Sequence, residues 1–382
     1  MDGFETYAQV DLSVLERNLD AIRRHVEFRK ILLPVKANAY GHGLAEHSPT
    51  GVPTAPLARF LQDRAVVDWF GVATVQEGAE LRLAGVTAPV LKFSPAQNNE
   101  LTRAVDANLT LTVVDPVSVW AASAAAETVG RVVDVHVKVD TGMRRIGCPP
   151  GLAPRLARLV EEAPYLNLQG VFTHFAASQD PAEDDFTARQ ITQFREAVDE
   201  VQAEIGRGLE LVHAANSGAV ERHRDSWFDM VRPGILAYGY PQAAAPVVQV
   251  EPVLSLISHV SYVKTVRAGE TVSYGRTWMA PRDTRVATVA IGYGDGYTRR
   301  LSNQAQVLVR GQAYAQIGTI CMDQIMVDLG PESEIGIGEQ VTLIGRDSGE
   351  SIGADELARL TGTISYEVLC AIADRVPRVF IG

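Results

Sequence analysis

Ile31-Leu32-Leu33-Pro34-Val35-Lys36-Ala37-Asn38-Ala39-Tyr40-Gly41-His42-Gly43 carries the decisive reading of this 382-residue chain. Residues 31–35 form a short apolar run with the length and composition of a buried strand. The run empties at Lys36 into a turn holding Asn38, Tyr40, His42 and two glycines. A buried ammonium is costly unless it is paired or loses its charge. A lysine that loses its charge is a nucleophile able to condense with an aldehyde. The commoner fate of a strand-end lysine is a salt bridge, or a buried stem with its head in water. A turn rich in glycine and hydroxyl donors is, however, what an anionic group such as phosphate needs nearby.

Working outward, Leu12, Leu15, Leu19, Ile22 and Val26 stand at helical spacing, with Ser13 and Glu16 expected to form a capping box. Strand-like runs recur at 69–73, 89–93, 109–114, 132–139, 168–173, 211–214 and 234–238, separated by helical segments such as 77–84 and 185–204. Residues 10–240 thus hold about eight strand and helix pairs, the count and length of an α/β fold of the (β/α)8 TIM-barrel type. A doubly wound open sheet is the competing architecture, but no Gly-rich dinucleotide turn opens the first pair. Residues 241–246, with three alanines between two prolines, read as a linker. Residues 245–382 change texture, with β-rich runs at 254–266, 286–291, 305–309, 313–318, 324–327 and 340–344. Helices return only at 355–360 and 366–373. This predicts a second, mostly β domain, with which residues 1–9 are expected to pair.

Composition narrows the function. The formal net charge is -11, from 35 Lys plus Arg against 46 Asp plus Glu, which argues against nucleic acid or an anionic membrane as partner. Cys148, Cys321 and Cys370 show no metal-ligand spacing and no even disulfide framework, so no metal is expected and a reducing compartment is. The first residues lack a signal-peptide pattern, and no apolar run approaches the ~20 residues of a membrane span. A cytoplasmic location is expected.

In a barrel, residues at the C-terminal ends of the strands share one mouth. Lys36, Arg145, His174, Asn216, Ser217 and Arg232 all fall at or just past expected strand ends and so converge. Each has an ordinary alternative. His174 suits a satisfied structural histidine, and Ser217 before Gly218 suits a helix cap. The same helix N-terminus is also a ready phosphate cradle. Arg232 suits a salt bridge, and Lys138 suits an internal pair with Asp140.

Residues 35–43 resemble the signature of the alanine racemases, enzymes that use pyridoxal 5'-phosphate (PLP). The likeness runs on through 138–147, 170–176, 213–218, 231–235, 272–278, 291–297, 321–324 and Tyr366, nearly the whole chain. It implies interconversion of L- and D-alanine, supplying D-alanine for cell-wall peptidoglycan, by a small-molecule enzyme acting as a homodimer with shared active sites. By this resemblance Lys36 tethers the cofactor and acts as one catalytic base. Tyr274, arriving from the partner's β domain, is the other. His174 lies next to the cofactor ring, and Arg232 faces its pyridine nitrogen. Tyr40, Asn216, Ser217, Gly234, Ile235 and Tyr366 complete the cofactor site. Arg145, Tyr293, Met322 and Asp323 fall on the substrate or entrance side. A guanidinium keeps its proton, so the ring nitrogen opposite Arg232 stays unprotonated and side reactions are suppressed. Lys138 matches a lysine that is carbamylated in some members. Two departures stand out: residues 47–56 look longer than usual, and Thr319 replaces a common arginine without touching an assigned role. The competing functions are a racemase of another amino acid such as serine or lysine, a PLP-dependent decarboxylase, and a non-catalytic PLP carrier. A decarboxylase would need a triple-glycine phosphate turn that is absent here, and the carriers lack a β domain.

Overall fold

The computed structural model describes residues 6–43 and 54–382. Two compact units form, one from residues 15–39 and 54–251, the other from 6–14, 40–43 and 252–382. Part of the 47–56 segment singled out in the sequence lies outside the described residues.

Strand β1, Tyr7–Asp11, leads into helix α1, Leu12–His25. The expected capping box of Ser13 and Glu16 does not form. Asp11 caps instead, its carboxylate accepting the Ser13 amide at 3.0 Å and the Val14 amide at 3.1 Å. The helix starts one residue before Ser13, and a carboxylate at that position reaches the exposed first-turn amides that a residue inside the helix cannot.

The first unit is the expected barrel. Its strands are β2 Lys30–Pro34, β3 Trp69–Val72, β4 Val90–Lys92, β5 Leu111–Val113, β6 Val133–Lys138, β7 Leu166–Phe172, β8 Leu211–His213 and β9 Met230–Val231. All pairings are parallel: β9 pairs with β2 through Lys30–Met230 and Ile31–Val231, and a Leu91–Thr110 bridge joins β4 to β5, closing the ring. The interior is packed by Leu32, Trp69, Leu91, Phe172, Leu211 and Met230. Strand alternation makes β6 informative. Val133, Val135 and Val137 take one face, leaving Asp134, His136 and Lys138 on the other, where His136 lies 5.5 Å from the Trp69 ring. A file of polar groups therefore runs up one wall of the barrel interior.

The last strand sits elsewhere than expected. Residues 234–238 read as a strand because short buried apolar runs carry no period that separates strand from helix. Gly234–Ala237 is a helical turn, and the strand is the two-residue β9 just before it. Arg232 stands just beyond the C-terminal end of β9.

The second unit is antiparallel apart from one edge. It comprises β10 Leu254–Val266, β11 Thr271–Val272, β12 Trp278–Met279, β13 Thr284–Val289, β14 Gln306–Val309, β15 Gln312–Ile317, β16 Ile325–Gly330, β17 Gln340–Asp347, β18 Glu350–Ile352 and β19 Arg378–Ile381. The thirteen-residue β10 pairs with β13 along one half and β17 along the other, so β10, β13, β16, β15, β14 and β17 close a ring. β1 adds to the other side of β10, and β19 pairs parallel with β1.

Candidate active site

Lys36 follows β2 and opens a strained turn. Residues Ala37, Asn38, Ala39 and Tyr40 have φ of 51, 53, 50 and 56°, a left-handed helical turn closed by the Ala39 amide donating to Val35 O at 2.9 Å. Left-handed helix costs L-residues roughly 1–2 kcal/mol each, so the surroundings must hold it. Glu77 does so in the barrel unit. Its carboxylate accepts the amides of Ala37 at 2.8 Å, Ala73 at 2.8 Å and Thr74 at 3.0 Å, while Thr74 Oγ1 accepts the Glu77 amide. Thr74 and Glu77 are the capping box of helix Val75–Leu83. The Thr-x-x-Glu signature is visible in the sequence, but its reach to the lysine turn is not. In the second unit Arg378 donates to Gly41 O at 3.0 Å, and a Cβ on Gly41 would stand 2.2 Å from Leu369 O. Glycine is obligatory there, with φ at +83° as well.

Cations gather around His174. Its imidazole is pushed well below the usual histidine range by burial, then by Arg232, Arg145, Lys138 and Lys36, so it is neutral. Lys138 Nζ donates to Phe93 O at 3.1 Å and lies 5.2 Å from the centroid of the Phe172 ring. Burial, with Arg145, Arg232 and Lys36 adding, lowers its pKa to about 7. Asp140 works against this only as the smallest contributor, and its carboxylate is engaged by the amides of Gly142 and Arg144. The pair of Lys138 with Asp140 is therefore not the main feature of this strand end. Arg145 acts on both Lys138 and His174, whereas Arg144 appears at neither.

Arg232 is buried to 4% exposure. Its guanidinium donates to Thr173 O and Ala214 O, both at 2.7 Å, to His213 Nδ1 at 2.9 Å and to His174 Nδ1 at 3.4 Å. Burial lowers its pKa to about 9, which still leaves it charged at neutral pH. Among the described residues no carboxylate pairs with it, so the salt bridge that such an arginine commonly makes is not what holds it.

Asn216 caps helix Ser217–Arg222, its Oδ1 accepting the Ala219 amide at 3.1 Å and the Ser178 hydroxyl at 2.6 Å. Ser217 Oγ accepts the Leu236 amide at 3.2 Å, joining this helix start to the turn Gly234–Ala237 that contains Ile235. Two helical N-termini thus meet at one buried hydroxyl. Of their first-turn amides, that of Ala219 is taken by Asn216 Oδ1, that of Leu236 by Ser217 Oγ and that of Gly234 by Arg232 O at 3.0 Å; the others have no carbonyl one turn back to bond, and such amides favour an anion.

The remaining candidates belong to the second unit. Tyr40 and Tyr366 face each other with ring centroids 5.8 Å apart, and burial, with Tyr366 and Cys370 adding, pushes the Tyr40 phenol up. Tyr293, Met322 and Asp323 come together because the Tyr293 amide donates to Cys321 O at 3.0 Å and the Gly294 amide to Met322 O at 2.8 Å. Arg375 fastens both loops, donating to Asp295 at 2.7 Å and Asp323 at 2.8 Å. Tyr274 stands on a tight turn, 70% exposed. Thr319 does touch an assigned residue, contrary to the sequence reading: its hydroxyl donates to Tyr274 O at 2.8 Å, and its own carbonyl accepts the Ser273 hydroxyl. The shorter side chain reaches a backbone carbonyl, a contact no linear motif records.

A parallel eight-stranded barrel whose mouth brings two lysines and two arginines to a neutral histidine, beside paired helix starts, is the frame of a barrel enzyme with a site suited to an anionic group. The chain belongs to the alanine racemase family. The sequence profile described as "Alanine racemase, N-terminal domain" matches residues 10–242, and "Alanine racemase, C-terminal domain" matches 253–380. Alanine racemase of Cutibacterium acnes is 44% identical over 378 residues, covering 99% of this chain and 98% of that protein. The one from Symbiobacterium thermophilum is 39% identical over 100% and 99%. Among solved structures, alanine racemase from Clostridium difficile 630 superposes with a TM-score of 0.90 at 32% identity, covering 100% of this chain and 97% of that one. That from Bacillus anthracis with bound L-Ala-P gives 0.88 at 34%, covering 100% and 96%. Among the described residues no helix is long and apolar enough to cross a membrane, and no His, Cys, Asp and Glu cluster has the make-up of a metal site.

Proposed function

We propose that this chain interconverts L- and D-alanine with PLP as cofactor, as a homodimer in a reducing, cytoplasmic compartment. The observation that carries the reading is the set of cations, Lys36, Lys138, Arg145 and Arg232, acting on one neutral histidine at the barrel mouth. Such a donor set fits a phosphorylated aldehyde bound next to an amino-acid carboxylate. Ser217, with the amides about Gly234 and Ile235, suits the phosphate and is oriented by the Asn216 cap, and the family resemblance alone assigns Tyr40 and Tyr366 to the cofactor. Lys36 would anchor the cofactor covalently, and its amine would be set free when the amino group of the substrate displaces it. When bound, the cofactor withdraws electrons from the substrate α-carbon and acidifies its proton.

The chain's own groups move that proton. Inversion requires one base on each face of the α-carbon. The Lys36 amine serves one face and the phenol of the partner subunit's Tyr274 the other. One takes the proton and its conjugate acid partner returns one to the opposite side, so the reaction is redox-neutral. Arg145 suits the substrate carboxylate. Tyr293, Met322 and Asp323 suit the entrance. Arg232 presents N–H donors only, so it would hold a cofactor ring nitrogen as an acceptor and would limit how strongly the cofactor draws charge from the α-carbon. That restraint favours returning the proton over further chemistry.

The test is incubation of the PLP-loaded enzyme with L-alanine in deuterated water, following α-proton exchange and D-isomer formation. Exchange and inversion together, both lost in Lys36→Ala, are expected. Rapid exchange without inversion refutes the role given to Tyr274, and carbon dioxide release refutes racemisation.

A further inference from the structure

Behind Arg232 lies a second layer of buried polar groups that the proposed reaction does not use. Arg232 Nη1 lies 2.9 Å from His213 Nδ1. His213 Nε2 lies 2.9 Å from His136 Nδ1. His136 Nε2 lies 3.4 Å from Gln169 Oε1, and Gln169 Nε2 donates to Glu210 Oε1 at 3.4 Å. Both histidines have no exposed surface. Phe172 stacks on His213 at 4.8 Å with planes 3° apart, and Trp69 lies 5.5 Å from His136. Gly170 makes the space, because a Cβ there would press His136 at 3.1 Å and Leu211 O at 2.5 Å.

The direction of every hydrogen bond in this file is dictated from its upper end. A guanidinium only donates, so His213 Nδ1 must accept and the single proton of the neutral ring sits on Nε2. That proton is donated to His136 Nδ1, which puts the His136 proton on Nε2, pointing at Gln169 Oε1. The Gln169 amide then has its NH2 turned to the Glu210 carboxylate, an acceptor only. Donor at the top and acceptor at the bottom agree, and the two neutral rings between them have one consistent arrangement. Were the file reversed, His213 would present an N–H to the Arg232 N–H.

We infer that His136 and Gln169 are positioning residues that lock the tautomer of His213 and thereby hold Arg232 as a fixed donor. The assignment rests on the proposed function only in taking that donor to face the cofactor ring. Neither residue is given a contact with substrate or cofactor in the proposed function; each acts through His213. A buried polar file of this kind specifies one arrangement only while each member is satisfied, so an apolar residue at its foot loosens the top.

The experiment is nitrogen-15 NMR of the full-length, histidine-labelled holoenzyme, combined with PLP binding by titration of the stripped protein. His213 and His136 signals are assigned by their loss in His213→Gln and His136→Gln. In the parent enzyme both rings are expected neutral, with the proton on Nε2. Gln169→Leu removes the acceptor, and a mixture of His213 tautomers is expected, with PLP dissociating about tenfold more readily. Gln169→Glu made together with Glu210→Gln keeps an acceptor for His136 and a donor below it, and restores both readouts, which a merely structural change in packing would not do. A parent His213 protonated on Nδ1 overturns the lock. So does a Gln169→Leu variant with unchanged tautomers. If the tautomers behave as expected while Arg232→Lys leaves PLP affinity unmoved, the lock stands and the placement of Arg232 against the cofactor fails.

Discussion

Replacing Glu77 tests whether the lysine turn is held in place from outside. The left-handed turn of residues 37–40 carries roughly 4–8 kcal/mol of backbone strain at about 1–2 kcal/mol per residue. The Glu77 carboxylate opposes this with three charge-assisted hydrogen bonds, one directly to Ala37. Bonds to charged groups contribute roughly 1.5–3 kcal/mol each, and partial exposure places these near the lower figure. Glu77→Gln retains one oxygen, which can satisfy either Ala37 or the pair Ala73 and Thr74, and turns an NH2 towards the other. A loss of about 2 kcal/mol is expected, near ~4–8 °C in the melting of a domain of barrel size. Glu77→Ala removes all three bonds, the reciprocal half of the capping box among them, for roughly 4 kcal/mol. Because Ala37 adjoins Lys36, kcat should fall along with stability. Differential scanning calorimetry and steady-state kinetics on both variants provide the measurement. A Glu77→Gln enzyme with unchanged melting and unchanged kcat would show that the turn is held by other groups, and the argument would fail.

The pKa of Lys138 sets a second expectation. Its folded value of about 7 lies below the ~10.4 of an unfolded lysine. Between those values the unfolded chain binds a proton that the native one does not, so this residue makes stability rise with pH across that window. Below pH ~7 the whole penalty is present, about 4 kcal/mol for the ~3 units. Lys138→Met should therefore be more stable at pH 6, with the advantage shrinking towards pH 10. Urea titrations across that range decide it, and parallel curves for the two proteins would contradict it. Conversion of this amine to a carbamate would appear as a carbonyl signal in carbon-13 NMR under labelled carbon dioxide, absent in Lys138→Met. Thr319→Val removes the hydroxyl that holds the Tyr274 carbonyl. One lost hydrogen bond of about 1 kcal/mol loosens that turn, so kcat should fall about fivefold with the KM for alanine little changed. An unaltered kcat would deny Thr319 that role.

Much of this protein is written in its linear order. The alternation of apolar runs with helical stretches between 10 and 240 specifies a parallel barrel because period-2 and period-3.6 burial leave few other ways to cover both elements. The run 35–43 also announces itself, since its lysine, two glycines and the Tyr40 hydroxyl fall within nine residues. What was not legible is what depends on distance through space. The two-residue strand Met230–Val231 is too short to show a period, and its buried helical neighbour looked more like a strand than it did. Asp11 outcompeted Ser13 as a cap because the helix begins at Leu12, where the apolar spacing itself begins, which puts Ser13 inside it. Glu77, Thr319, His136 and Gln169 looked like ordinary helix, turn and strand residues. Their roles come from partners 40, 45, 77 and 33 positions away. Residue type and local spacing determine which elements form and which side chains are chemically able. Only the closed barrel brings Arg232 onto His213 and His213 onto His136, because a hydrogen bond needs an acceptor within about 3 Å and a sequence carries no such distances.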